Sequence, residues 1–265
     1  MNQLVLSTFT GIGMLDDGFR KNGFCVVSAG DLIYGQNIED FRAVPNKFTG
    51  VIGGSPCQDF SRLRRIPPTG HGLKMLEQFK RIVQETNCDW FLHENVLGVP
   101  DIEIDGFHVI RFHLSPKEIG YSQSRNRKFQ FGSKIGLLLE IEKKPFGGKV
   151  MQIATASEYN RKERRNWSDF CELQGLPKDF NLSEFSTTAK YKAVGNGVHL
   201  GVSFFVAKAI KKALLAENPK TIFNSKTCTC GCGTVVTGRK STAFDSCRKR
   251  ISNLRRKVSI QVETK

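Results

Sequence analysis

The chain has 265 residues, of which 40 are Lys or Arg and 25 are Asp or Glu, a formal net charge of +15. With 39% hydrophobic and 25% charged residues it can bury a core, which excludes intrinsic disorder, and the basic excess points to a polyanion, nucleic acid above all. An anionic membrane would answer to the same charge, but there is no amphipathic basic helix and no apolar run of spanning length, and Met1–Leu6 lacks the basic and apolar regions of a secretory signal, so a cytosolic protein with no membrane association is expected.

Residues 3–9 read as a strand running to Gly11 and Gly13, and Met14–Asn22 as a helix. A second strand, Cys25–Ala29, ends at Asp31. Thr49–Ile52 runs into Gly53-Gly54, and Trp90–His93 runs into Glu94-Asn95, with a helical stretch Lys74–Glu85 between them. Strands that alternate with helices and end in glycine or polar residues predict an α/β fold with a doubly wound parallel sheet. In such sheets ligands bind beyond the carboxyl ends of the strands, and the chemically suggestive residues of the first hundred all lie there. Phe107–Leu114 and Lys128–Phe131 look like further strands, Trp167–Leu173 and Leu200–Leu215 like helices. After Ala216 the composition shifts: Glu217–Lys226 is a polar linker containing Pro219, which places a domain boundary near 220.

Phe9-Thr10-Gly11-Ile12-Gly13 lies at a strand-to-helix turn, where glycines let the backbone approach a ligand, and a carboxylate in the position of Asp31 commonly holds a ribose diol. A tight turn without a ligand also uses glycine, and Asp31 can equally be a solvated loop residue. In Gly53-Gly54-Ser55-Pro56-Cys57-Gln58-Asp59-Phe60-Ser61, Pro56 and the glycines permit a sharp loop that holds the Cys57 thiol out at a strand end. A lone cysteine is most often a small buried hydrophobe. The loop, together with Arg62, Arg64 and Arg65, favours a nucleophile instead. Phe91-Leu92-His93-Glu94-Asn95-Val96 puts a carboxylate at the next strand end, within reach of Cys57. Gln123-Ser124-Arg125-Asn126-Arg127 carries two guanidinium groups on one face if extended, which on a solvated strand would be a mere charged stripe.

In this order, Phe-x-Gly-x-Gly, Pro-Cys-Gln, Glu-Asn-Val, Gln-x-Arg-x-Arg and Gly195-Asn196-Gly197-Val198 resemble the motifs of the DNA cytosine-5 methyltransferase family, and Arg165–Pro177 resembles its ninth motif. The similarity covers residues 3–215. It implies a Rossmann-like S-adenosylmethionine-dependent methyltransferase sheet. It also implies an enzyme that moves a methyl group from S-adenosyl-L-methionine to carbon 5 of a cytosine flipped out of double-stranded DNA. By the same resemblance Cys57 adds to ring carbon 6, Glu94 contacts N3 and the exocyclic amine, and Arg125 and Arg127 hold the base oxygen and a nearby phosphate or the nucleophile loop. Phe9, Gly11, Gly13, Asp31, Asn37, Pro56 and Asn196 would bind the cofactor. The rivals are a tRNA cytosine-5 methyltransferase with the same apparatus, and a catalytically idle DNA-binding protein of the same fold.

The chain departs from the family pattern twice. Where the family has Gly-Asp-Ile, this sequence reads Gln36-Asn37-Ile38, so Asn37 or Asp40 is left to meet an adenine amine. Residues 130–164 stand where relatives carry a substantial target-recognition domain. This reduced region is basic, with Lys143, Lys144, Lys149, Arg161, Lys162 and Arg164, and suits phosphates more than base edges, which predicts short or relaxed sequence specificity.

Cys25, Cys57, Cys88 and Cys171 stand singly, whereas Cys228, Cys230, Cys232 and Cys247 cluster, with Cys247 inside Asp245-Ser246-Cys247-Arg248-Lys249-Arg250. The cluster resembles a short zinc ribbon and predicts a structural Zn2+ held by its four thiolates, although the one-residue spacing is tighter than usual and a reduced, metal-free tail is the alternative. With Arg255, Arg256 and Lys257 behind it, residues 220–265 are expected to grip phosphates and to offset the missing recognition domain of the catalytic part, residues 1–219. The protein is expected to act as a monomer in a bacterial or phage-infected cell.

Overall fold

The fold is taken from a computed structural model that describes residues 3–61, 64, 66–236, 240–243 and 247–252. Arg62 and Arg65 beside the cysteine loop, Asp245 and Ser246, and the tail arginines Arg255 and Arg256 with Lys257 lie outside the described residues.

Six strands form one sheet in the order β2-β1-β3-β4-β6-β5. They are β1 (Leu4–Thr8), β2 (Cys25–Ala29), β3 (Gly50–Gly53), β4 (Trp90–Asn95), β5 (His108–Leu114) and β6 (Arg127–Ser133). The central strands β3 and β4 are buried along their whole length, as their apolar runs require of strands covered on both faces. Alternate residues go to opposite sides. Val5, Ile52, Trp90 and Leu92 join one core, with α1 (Met14–Lys21), α3 (Trp167–Leu173), α4 (Thr187–Asn196) and α5 (Leu200–Leu215). Leu6, Val51 and Phe91 join the other, under α2 (His71–Thr86). Phe19, Phe79, Phe91, Phe129 and Phe131 are fully buried, each contributing about 1.5–3 kcal/mol by leaving water. Where α1 crosses α5, a Cβ on Gly18 would lie 2.4 Å from the Ser203 backbone, so glycine sets that close approach.

The sheet is doubly wound as expected, but it is not wholly parallel. β2, β1, β3 and β4 are parallel; β6 runs antiparallel to β4, and β5 antiparallel to β6. The reason is the β5–β6 connection, which contains only the single helical turn Pro116–Glu118, whereas a parallel return needs a crossover. α4 was not predicted. Its Thr, Lys and Gly residues give weak helical patterning, and Ser186, whose side chain accepts from the Ala189 N–H, starts it.

By length and composition Thr187–Leu215 could cross a membrane, contrary to the expectation of no such run. It is α4 and α5 separated by Gly197–His199, and 67% of its apolar window is buried inside the protein, as core helices are.

Candidate active site

Beyond the carboxyl ends of β1–β4 opens a cleft of about 460 Å³, within the range of small-ligand sites. Cys57, Glu94, Arg127, Pro56, Phe9, Asp31, Asn37 and Asn196 all line it, joined by Ile38 and Glu39. The sequence reading had not singled out Glu39, which pairs with Lys74 at 2.6 Å; Asp40, the other candidate, does not line the cleft.

The Cys57 loop leaves β3 directly, and β3 is in register with β4, Gly53 opposite His93, so Glu94 lies beside the loop. A Cβ on Gly54 would come within 3.1 Å of Glu94 Oε2. On the far side Asp59 fastens the loop to α2, accepting from the N–H groups of Gly72 at 2.8 Å and Thr69 at 3.0 Å. Of the four single cysteines, Cys88 and Cys171 are buried, with thiols pushed up to about 12 and about 11 by burial, and Cys25 is exposed on β2. Cys57 is half-buried and in the cleft, so it is not the inert small hydrophobe that an isolated cysteine usually is. Burial raises its thiol pKa, while Arg127, the strongest nearby charge, draws it back down.

Glu94 is buried, and burial raises its carboxyl above the usual range although Arg127 and Arg125 oppose this. Arg127 Nε stands 2.9 Å from Glu94 Oε1. The antiparallel course of β6 makes that pair: it brings the first residue of β6 to the edge where β4 ends, with Asn95 opposite Lys128.

Arg125 departs from expectation. It is 5% exposed and outside the cleft lining, its Nη1 donating to Ala154 O at 2.6 Å and its Nη2 to Gly195 O at 2.8 Å and Gly197 O at 3.1 Å. It ties the segment after β6 to the end of α4 and so braces the turn that carries Asn196. Gly13 lines neither this cleft nor the smaller cavity beside it: with φ at 81° it forms the left-handed entry to α1. Gly11, also in the left-handed region, lines a smaller neighbouring cavity of about 130 Å³.

Asp31 holds the turn between β1 and α1. Its Oδ2 accepts from the Gly11 N–H and its Oδ1 from the Ile33 N–H, both at 2.8 Å, and each oxygen keeps further capacity to accept from a hydroxyl. Asn37 Oδ1 accepts from the Glu39 N–H at 3.1 Å, so the oxygen expected to meet an adenine amine is already partly engaged.

In the reduced region, Lys143 pairs with Glu118, Arg161 and Arg165 with buried Glu158, and Arg164 lies over the Tyr159 ring. Lys144, Lys149 and Lys162 are exposed with no ion pair among the described residues. The four clustered cysteines place their sulfurs within 4.8 Å of one another. A tetrahedral zinc–thiolate centre separates its sulfurs by about 3.8 Å; here Cys228 and Cys230 stand 3.4 Å apart and Cys232 and Cys247 3.9 Å. The knuckle docks on the edge strand, Arg111 donating its N–H to Gly231 O at 3.1 Å, while Arg250 pairs with Asp101 at 3.4 Å.

The sequence profile of C-5 cytosine-specific DNA methylase matches residues 4–168. Type II methyltransferase M.FnuDI of Fusobacterium nucleatum is 30% identical over 161 residues, 48% of this chain and 46% of that protein. Type II methyltransferase M.MthTI of Methanothermobacter thermautotrophicus is 32% identical over 184 residues, 57% and 55% respectively. The chain thus spans about half the length of the curated relatives it matches. The Entamoeba histolytica methyltransferase EhMeth shares the fold, with a TM-score of 0.64 at 13% identity over 82% of this chain and all of that one.

Proposed function

Since the chain belongs to the C-5 cytosine-specific DNA methylase family, we propose that it methylates carbon 5 of cytosine in duplex DNA. The observation that carries the reading is the convergence of Cys57, Glu94 and Arg127 on one cleft beside a glycine turn and a ribose-type carboxylate. The cleft volume and the free lone pairs of Asp31 suit S-adenosylmethionine, with Phe9, Asn37, Ile38 and Asn196 around it. When bound, the cofactor supplies an electrophilic methyl group.

The chain supplies the rest. The Cys57 thiolate adds to ring carbon 6 of a cytosine turned out of the stack, and Glu94, whose carboxyl burial raises above the usual range, in its protonated form gives its proton to N3. Arg127 offsets the charge that develops next to it and fixes the Glu94 carboxyl. Once carbon 5 carries the methyl group, water at the cleft takes the carbon-5 proton, the carbon 6–sulfur bond breaks to release Cys57 as thiolate, and N3 returns its proton to the Glu94 carboxylate, which restores the aromatic ring. Every side chain this chemistry uses comes from one chain, in keeping with action as a monomer. Residues 1–219 form the catalytic unit on this reading, and residues 220–265 a zinc-bearing module that adds phosphate contacts where a large recognition domain is lacking. Specificity is therefore short or relaxed.

Bisulfite sequencing of DNA from cells expressing the protein is expected to show modified cytosines in short, frequent contexts, and the purified enzyme to modify duplex DNA but not tRNA. Methylation confined to one long site contradicts relaxed specificity; modification of tRNA alone contradicts the DNA reading. For the module, mass spectrometry of the metal content is expected to find one zinc per chain in the wild type and none in Cys247→Ser, with DNA affinity lowered about tenfold, the loss of one or two phosphate contacts. A zinc-free wild type refutes the metal assignment.

A further inference from the structure

One residue before Glu94 and one after it, β4 turns two polar side chains toward the nucleophile loop. His93 is fully buried, and its Nε2 lies 2.9 Å from Ser55 Oγ. Asn95 Nδ2 donates to Ser55 O at 2.9 Å and to Ser55 Oγ at 3.2 Å. Ser55 is 3% exposed and stands two residues before Cys57. Its hydroxyl, accepting from Asn95, is free to donate its own hydrogen to His93 Nε2. Burial holds the imidazole neutral, its pKa pushed down to about 3, so Nε2 can accept. The ring is fixed in turn against Phe79, their centroids 4.9 Å apart. His93 Nδ1 has no partner among the described residues, and leaving a buried nitrogen unpaired is costly, so packing alone does not account for a histidine there.

We propose that His93, acting through Ser55, is a positioning residue that holds the Cys57 loop so that its sulfur points into the cleft. The inference rests on the reading of Cys57 as the nucleophile. The neighbouring Asn95 fixes the loop backbone; the His93–Ser55 bond fixes the side of the loop that faces the sheet. Ser55 itself lines the cleft whereas His93 does not, so His93→Leu breaks the bond without removing any group from the cleft lining.

Ser55→Ala removes the hydroxyl, His93→Leu removes the acceptor, and His93→Gln replaces Nε2 with an amide group at nearly the same reach. Ser55→Ala and His93→Leu are each expected to lower kcat about 10- to 100-fold, the scale of a misplaced reacting atom, with KM for S-adenosylmethionine changed less than about twofold. His93→Gln is expected to restore most of the rate. The double variant should be no slower than the slower single, because both remove one bond. Unchanged kcat in both singles, or losses that follow the thermal midpoint and are not rescued by glutamine, overturn the proposal. Alkylation of Cys57 by iodoacetamide, followed by peptide mass spectrometry, reads the loop without methyl transfer. Its rate should change by about threefold or more in Ser55→Ala and His93→Leu, as expected of a loosened loop; an unchanged rate also overturns the clamp. A wild type that leaves DNA unmethylated sinks the reading of the site, while the alkylation result still judges the clamp.

Discussion

Cys57→Ser is expected to lower methyl transfer to duplex DNA by at least about 10³-fold, the loss seen when a covalent nucleophile is removed from an intact site. It is also expected to abolish the denaturation-resistant complex with DNA containing 5-fluorocytosine. Serine keeps the shape of the loop but carries a hydroxyl far too weakly acidic to form the anion. Cys25→Ser, on exposed β2, is the matched control and should retain both properties. A surviving adduct in Cys57→Ser contradicts the assignment. The same residue sets the pH response. Burial lifts the Cys57 thiol above its ordinary value of 9.0, so the thiolate is the minor form near neutrality. Below that pKa the thiolate fraction, and with it kcat/KM for DNA, should rise about tenfold per pH unit. Glu94, also raised by burial, must keep its proton, so the rise ends where Glu94 ionises. Between that point and the Cys57 pKa the gain in thiolate cancels the loss of protonated Glu94 and the profile is flat, so a profile with no acid limb at all is incompatible with this chemistry.

Arg125→Met is expected to destabilise the protein by about 3–5 kcal/mol, because three carbonyls lose their donor inside the core. For a chain of this size the thermal midpoint should fall by roughly 10 °C. Arg127→Met, in the cleft, should keep its midpoint within a few degrees and lose methyl transfer instead. The two arginines stand two residues apart and carry the same group, yet they separate into one that holds the fold and one that lines the cleft. Arg125→Met with the wild-type midpoint and weakened DNA binding would return Arg125 to the substrate side.

That division was not legible in the sequence. Extended geometry places Arg125 and Arg127 on one face, but β6 begins only at Arg127, and the segment before it turns in toward the end of α4. Strand ends were readable because each is marked by chemistry, Gly53-Gly54 where β3 ends and Glu94-Asn95 where β4 ends. The direction of β6 was not, since an apolar run reads the same whether its neighbours are parallel or antiparallel. Asp31 and Cys57 could be named because their residue types are informative at a strand end. Ser55 and His93 could not: a loop serine and a strand histidine acquire meaning only when pairing sets them 2.9 Å apart. Gly13 shows the converse, a motif residue that sets the backbone geometry at the start of α1.

β4 turns the side chains of His93 and Asn95 to one side, where both meet Ser55, and that of Glu94 to the other, so consecutive positions of one strand serve opposite sides of the sheet. Its pairing with β3 and β6 is fixed by buried Trp90, Phe91 and Leu92 upstream. Gain or loss of a single residue between Leu92 and Asn95 would therefore exchange the two sides at once, offering an imidazole or an amide to the base and a carboxylate to the loop. Such an indel cannot be repaired by any later point substitution. The segment has a fixed length for the same reason that a reading frame does, and variants of this protein should tolerate changes of residue there far more readily than changes of number.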